Sequence, residues 1–140
     1  MLDPRRAAEV LEAARQAPCM ESFGIGQIEL DEGRCRLLAR HLERYDGLPG
    51  GFHGGMMAAV ADCVAWFAIA TQTGPLEPLV TTDLSMHYLA PCTTDVTAVG
   101  QVIKLGRTLC PVRVELNDAA GKMVAAGTVT YIRLSNLRGA

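Results

Sequence analysis

The segment Met56 to Thr73 carries one formal charge, at Asp62, and is otherwise alanine, valine, methionine, isoleucine, aromatic and uncharged polar residues. A helix that is apolar on every side offers no face to water, so the rest of its domain must enclose it. The chain arrives through Tyr45 to Gly55, a loop with five glycines and one proline. Gly74-Pro75 ends the helix. The longest apolar run, Met56 to Ala70, is broken by Asp62 and is too short to cross a hydrocarbon layer of about 30 Å. Enclosure by protein, and no membrane partner, is the expectation. With 140 residues, 49% of them hydrophobic, the chain has material for one domain with a real core and not for two.

The enclosing layer reads as strands. Cys110, Val112, Val114 and Leu116 alternate with Pro111, Arg113, Glu115 and Asn117, the two-residue period of a half-buried strand. Pro111 deprives that strand of one ladder bond and suggests a bulge or an edge. Further strands are predicted over Phe23 to Leu30, Arg34 to Glu43, Val80 to Ala90, Val96 to Leu105 and Met123 to Leu134. Before them, Asp3-Pro4 is an N-cap followed by proline at the first helical position, and Ala7, Val10, Leu11 and Ala14 recur at helical spacing until Pro18. The result is an α+β domain: residues 1–140 as one unit, with an N-terminal helix in 1–18 and a core over 23–134 in which six antiparallel strands surround one helix.

Composition excludes several functions. Thirteen basic residues face fifteen acidic ones, and aromatics are 5%, so neither a charge-driven nor a stacking-driven nucleic-acid binder is expected. The five cysteines, at 19, 35, 63, 92 and 110, are odd in number and contain no Cys-x-x-Cys pair. No zinc or redox motif follows, and the cysteines read as small hydrophobes in a reducing compartment. The N-terminus is charged from Asp3 onward with no apolar signal core, so the expected location is the cytoplasm.

The chemistry is expected at Asp62, a lone carboxylate among Val60, Ala61, Cys63 and Val64. Burying it costs several kcal/mol unless it is paired, which makes it a candidate base. Against this stands an aspartate at a solvated spot or capping a loop. Gly54-Gly55 begins the helix, where free N–H groups attract negative charge and glycine admits close approach; together they form a candidate oxyanion hole. Alone, the pair is a tight loop-to-helix turn. His53 is either a ligand-binding residue or, more in keeping with a lone histidine, a hydrogen-bonded structural one. Asp83, Ser85 and His87 share one strand face and point the same way, so they do not converge as a triad requires. Eight residues at about 1.5 Å rise separate Gly54 from Asp62 by about 12 Å. One carbonyl cannot touch both in one subunit, so joint action requires two subunits with these helices antiparallel across an interface.

Gly50-Gly51-Phe52-His53-Gly54-Gly55, followed by Ala61-Asp62, resembles the His-Gly-Gly…Ala-Asp signature of hotdog-fold acyl-CoA thioesterases, and the phenylacetate-degradation type most of all. Thr82 to Pro91 is similar to that family's third strand, and Lys104 to Leu109 to its next hairpin. The resemblance implies a long helix wrapped by a sheet, and dimers joined edge to edge that often pair into tetramers. It implies hydrolysis of acyl-CoA to a carboxylate and free coenzyme A, with no metal and no cofactor beyond the coenzyme A of the substrate. Gly54 matches the residue whose N–H polarises the thioester carbonyl, and Asp62, from the other subunit, the nucleophile or general base. Thr81 falls where some members carry a hydroxyl that orients water. One position departs: the family's Asn or Gln six residues before the histidine is Gly47 here, beside Asp46. That missing amide keeps a non-catalytic acyl-CoA binding module open as the alternative. The phosphates of coenzyme A call for arginine. Eleven arginines accompany two lysines, and Arg107, near Lys104 and with Arg133 or Arg138, is the candidate substrate-binding cation.

Overall fold

The computed structural model describes residues 1–137. Helix α1 spans Pro4–Arg15, and the Asp3 carboxylate accepts the Arg5 N–H at 2.9 Å to cap it. Its Val10 and Ala14 are buried. It ends before Pro18, and Pro18 instead precedes a second short helix, α2, at Cys19–Ser22, which the sequence reading missed. The strands are β1 (Ile25–Asp31), β2 (Arg34–Ala39), β3 (Leu79–Tyr88), β4 (Val96–Val102), β5 (Leu109–Asn117) and β6 (Met123–Arg133), with α3 (Gly54–Thr73) between β2 and β3. Single 3-10 turns occupy Glu43–Tyr45 and Leu134–Leu137.

The six strands form one antiparallel sheet in the order β1-β2-β4-β5-β6-β3. This is the α+β architecture expected, a long helix held by an antiparallel sheet with a short helix at the N-terminus. The alternation read in β5 is realised: Cys110, Val112, Val114 and Leu116 are fully buried against α3. Each such valine or leucine contributes about 1.5–3 kcal/mol through removal from water. The helix lies so close that a Cβ on Gly100 of β4 would sit 3.0 Å from the Val64 carbonyl oxygen, and glycine is what admits that approach. Gly74, at φ +88°, then turns the chain out of α3.

Two expectations change. Helix α3 has 20 residues, so length alone does not exclude a membrane span; what it does show is the sheet covering Val60, Ala61, Val64, Ala65 and Phe67 to Thr71. Pro111 lies in a central strand, in regular register opposite Thr130, with no bulge at its position. Its carbonyl accepts the Ile103 N–H at 2.9 Å, one position beyond the last β4 pair, Val102 with Val112. The missing N–H therefore falls where the β4 ladder has already ended.

Strand β3 carries a bulge between Thr81 and Asp83. Thr81, opposite Tyr131, faces α3. Without the bulge Asp83, Ser85 and His87 would share that face, because strand side chains alternate. With it, they stand opposite Thr130, Thr128 and Ala126, on the face away from the helix. Of the five cysteines, Cys35, Cys92 and Cys110 are buried and all are free thiols. Burial pushes the Cys35 thiol up to about 12, as suits an inert packing residue.

Candidate active site

Asp62 lies half-buried, two turns into α3, on the side toward β3 and β6. Its Oδ1 accepts a hydrogen bond from the Thr81 hydroxyl at 2.7 Å. Its backbone carbonyl accepts one from the Tyr131 hydroxyl at 2.9 Å. Burial drives the Tyr131 phenol well above its ordinary value, so it remains a donor. The carboxylate in the apolar helix is thus not alone: a hydroxyl on the neighbouring strand offsets part of its burial and fixes its rotamer. Thr81→Val removes that hydroxyl with little change of shape. Turnover is expected to fall about tenfold, the worth of roughly one hydrogen bond, with the melting temperature nearly unchanged and Thr81→Ser restoring the rate. Steady-state kinetics and thermal melts on the three proteins check this.

Gly54 is the first residue of α3. The His53 side chain caps the helix, its Nδ1 accepting the Gly55 N–H at 2.8 Å. The second glycine's N–H is therefore spent within the chain. Among the described residues no acceptor meets the N–H of Gly54 or of Met56, which leaves both as donors open to a ligand, with that of Gly54 at the first position of the helix. Tyr88, at the end of β3, donates its hydroxyl to the Gly54 carbonyl at 2.7 Å. Its ring covers the glycine, and a Cβ at Gly54 would lie 3.3 Å from the ring. Sequence reasoning missed this contact, since an aromatic at a strand end has no chemical signature of its own.

Gly54 and Asp62 sit on one continuous helix, about 12 Å apart by its rise, and one protomer does not bring them together. Gly47 lies at the Gly54 end, where a Cβ would contact the His53 ring at 3.4 Å; its N–H closes the loop on the Gly51 carbonyl. Asp46 does not replace the missing amide, because its carboxylate turns away to His41 at 2.6 Å. Asp83, Ser85 and His87 are on the opposite face of the sheet from Asp62.

Arg107 and Lys104 are exposed in the loop between β4 and β5. The Asn136 amide donates to the Arg107 carbonyl, a backbone contact that does not use the guanidinium. Arg133 is not available as a phosphate ligand: it pairs with Glu77 at 3.1 Å and donates to the Gly106 carbonyl at 3.2 Å. The Ser135 hydroxyl, followed by Arg133, holds the Glu77 carboxyl below its usual range. Arg138 lies outside the described residues. Among the described residues no three His, Cys, Asp or Glu side chains cluster as a metal site would require.

Residues 49–125, which include Gly54, Asp62 and Thr81, match the family model of the thioesterase superfamily. The fold superposes on the Escherichia coli PaaI protein of the phenylacetic acid degradation operon with a TM-score of 0.85 over 95% of this chain and 96% of that one, at 21% identity. A variant of the phenylacetic acid degradation protein PaaI from Thermus thermophilus is 30% identical, with a TM-score of 0.74 over 84% of this chain and 99% of its own. A protein of Saccharolobus solfataricus that carries the provisional name of an esterase is 29% identical over 127 residues, 89% of either chain.

Proposed function

This chain belongs to the thioesterase superfamily, and we propose that the thioester it hydrolyses is an acyl-CoA, at sites built from two subunits. The carrying observation is the helix α3 itself. It presents an unengaged Gly54 N–H at one end and, two turns on, a carboxylate held by Thr81. Two such helices laid antiparallel put the Gly54 N–H of one protomer opposite the partner's Asp62. The N–H and the helix dipole stabilise the oxygen that becomes negative as the carbonyl carbon turns tetrahedral. Asp62 takes a proton from water as the water oxygen bonds to that carbon, and collapse then breaks the C–S bond and expels coenzyme A as a thiolate, which takes up that proton. If Asp62 instead attacks the carbon directly, the thiolate leaves and is protonated by solvent water, the acyl group stays on Asp62 as a mixed anhydride, and water then cleaves it to the carboxylic acid and frees Asp62. A thiolate is a good leaving group, so one base and one oxyanion donor suffice without metal or cofactor.

The β3 edge of the sheet supports the two-subunit site. Among the described residues strand β3 pairs only with β6, and it exposes Val80, Leu84 and Tyr88, with Leu89 just beyond it. An apolar edge left open invites pairing with another strand, and a second copy of β3 is the partner that closes it. A dimer or tetramer in the cytoplasm, with no nucleic-acid or membrane partner, completes the reading. The alternative, an acyl-CoA binding module without efficient turnover, draws on one observation: Gly47 supplies no side-chain amide and Asp46 is committed to His41. Free-thiol release from a panel of acyl-CoAs, with light scattering in parallel, separates the two. Thiol release by a dimer or tetramer is expected. A folded protein that binds acyl-CoA without releasing thiol sinks the hydrolytic reading, and a fully active monomer sinks the composite site.

Arg107 is the cation proposed to meet the nucleotide phosphates. Arg107→Ala is expected to raise KM for acyl-CoA several-fold and leave kcat little changed, because the contact serves ground and transition states alike. A pantetheine thioester has no nucleotide to lose and should be barely affected. Equal damage to both substrates assigns Arg107 a structural role.

A further inference from the structure

Two of the five cysteines escape the packing that makes the others inert. Cys35 and Cys110 are fully buried in β2 and β5, and Cys92 is buried beyond the end of β3. Cys19 opens α2, and Cys63 follows Asp62 on α3. Both are half-buried and both line the space between the two helices. Their thiols are in hydrogen-bonding contact there. Burial first, then the Cys19 thiol and the Asp62 carboxylate, push the Cys63 thiol up to about 12. Cys63 therefore stays protonated at neutral pH and does not begin an exchange reaction, which needs a thiolate. Cys19 is the sulfur that a reagent meets first. Its helix has four residues, no side-chain hydrogen bond at its cap and no fully buried residue. A segment held by so little shifts at low cost, and a small shift is what two neighbouring sulfurs need to reach bonding geometry.

We propose that Cys19 and Cys63 are a thiol–disulfide exchange site for small disulfides such as oxidised glutathione, and that the bond they close clamps α2 against α3 beside Asp62. The Cys19 thiolate attacks one sulfur of the small disulfide and expels a thiolate. The Cys63 thiol then gives its proton to water as its sulfur bonds to Cys19 and the second thiolate leaves. Two protein thiols are oxidised, one small disulfide is reduced, and the two protons lost by the protein end on the two released thiols. Contact between the cysteines makes the second step intramolecular, which favours ring closure over a lasting mixed disulfide. The clamp falls on the residue next to Asp62, so the oxidised protein turns over slowly until a dithiol opens it. That consequence rests on the acyl-CoA reading above, whereas the bond itself does not.

Trp66, the chain's only tryptophan, lies one turn along α3 from Cys63 and lines the same space. A disulfide beside an indole quenches its emission, so Trp66 reports the clamp without any turnover. The experiment incubates the full-length protein with oxidised glutathione, removes the reagent, and follows intact mass, a peptide map, Trp66 emission and the loss of thioester absorbance from acyl-CoA. Expected are a mass lower by two hydrogens, a linked Cys19–Cys63 peptide pair, quenched emission and turnover at least about tenfold slower, all reversed by dithiothreitol. Cys19→Ser should keep the parent's rate and lose every response, and Cys63→Ala should stop at a mixed disulfide on Cys19. A lasting mixed disulfide on Cys19 of the parent, with Cys63 still free, overturns the proposal. So does a Cys19–Cys63 bond that leaves both rate and emission unchanged. If the reduced protein cleaves no acyl-CoA, the hydrolytic reading falls, while a mapped Cys19–Cys63 bond with quenched Trp66 upholds the exchange site and its clamp.

Discussion

Asp62→Asn is expected to slow thioester hydrolysis by at least about 10²-fold, the lower range for loss of a general base, with fold and assembly intact. Asparagine has the shape of aspartate, and its carbonyl oxygen still accepts the Thr81 hydroxyl that now bonds Oδ1 at 2.7 Å. The Tyr131 bond to the backbone carbonyl of residue 62 does not involve the side chain at all. The substitution therefore removes the capacity to take up a proton or to attack, and little else. Rates measured under single-turnover conditions, beside thermal melts and light scattering, test it. A folded variant with the parent's rate would show that the reacting group is elsewhere.

Gly54→Ala keeps the backbone N–H but sets a methyl beside it, and is expected to cost about 10²–10³-fold in kcat, the range for an oxyanion kept from one donor, while the melting temperature holds or rises. Alanine favours a helix over glycine by about 1 kcal/mol, so stability and activity part ways. The added methyl would sit 3.3 Å from the Tyr88 ring, beside the Gly54 N–H, which meets no acceptor among the described residues. Either the ring shifts and releases its 2.7 Å hold on the Gly54 carbonyl, or the methyl stands where a thioester oxygen must approach. Tyr88→Phe keeps the ring and loses only the hydroxyl, and its effect should be smaller. Activity of Gly54→Ala within threefold of the parent would mean that no substrate atom comes near this residue.

How much of this was legible in the sequence depends on the range of the interaction. Helix α3 could be read because its apolarity is a property of consecutive residues, and β5 because its period is two. Asp62 stood out as a lone charge in that setting. The bulge between Thr81 and Asp83 left no mark, since Thr-Thr-Asp carries neither glycine nor proline, yet it decides which of two chemically attractive sets of side chains faces the helix. Thr81 entered only through family resemblance, because its partner lies nineteen positions away. Arg133 looked like a free cation until Glu77, fifty-six positions earlier, was found beside it. Histidine is an uncommon cap, so the role of His53 at α3 was visible only as a structural alternative. Pro18 read as a terminator, and the short helix that follows it has too few residues to show a period.

The position of β3 in the sheet bears on the order in which the protein can be made. Synthesis completes β3 at Tyr88, but β6, its one neighbour in the sheet among the described residues, begins only at Met123. Until that last strand emerges, β3 has no ladder to join, and pairings between distant segments are the slow ones to form. Both hydroxyls that grip residue 62 depend on this closing step, one carried by β3 and the other by β6 itself. A nascent chain can therefore bury most of α3 against β2, β4 and β5 while its aspartate is still unsupported. Competence for chemistry arrives with the final strand.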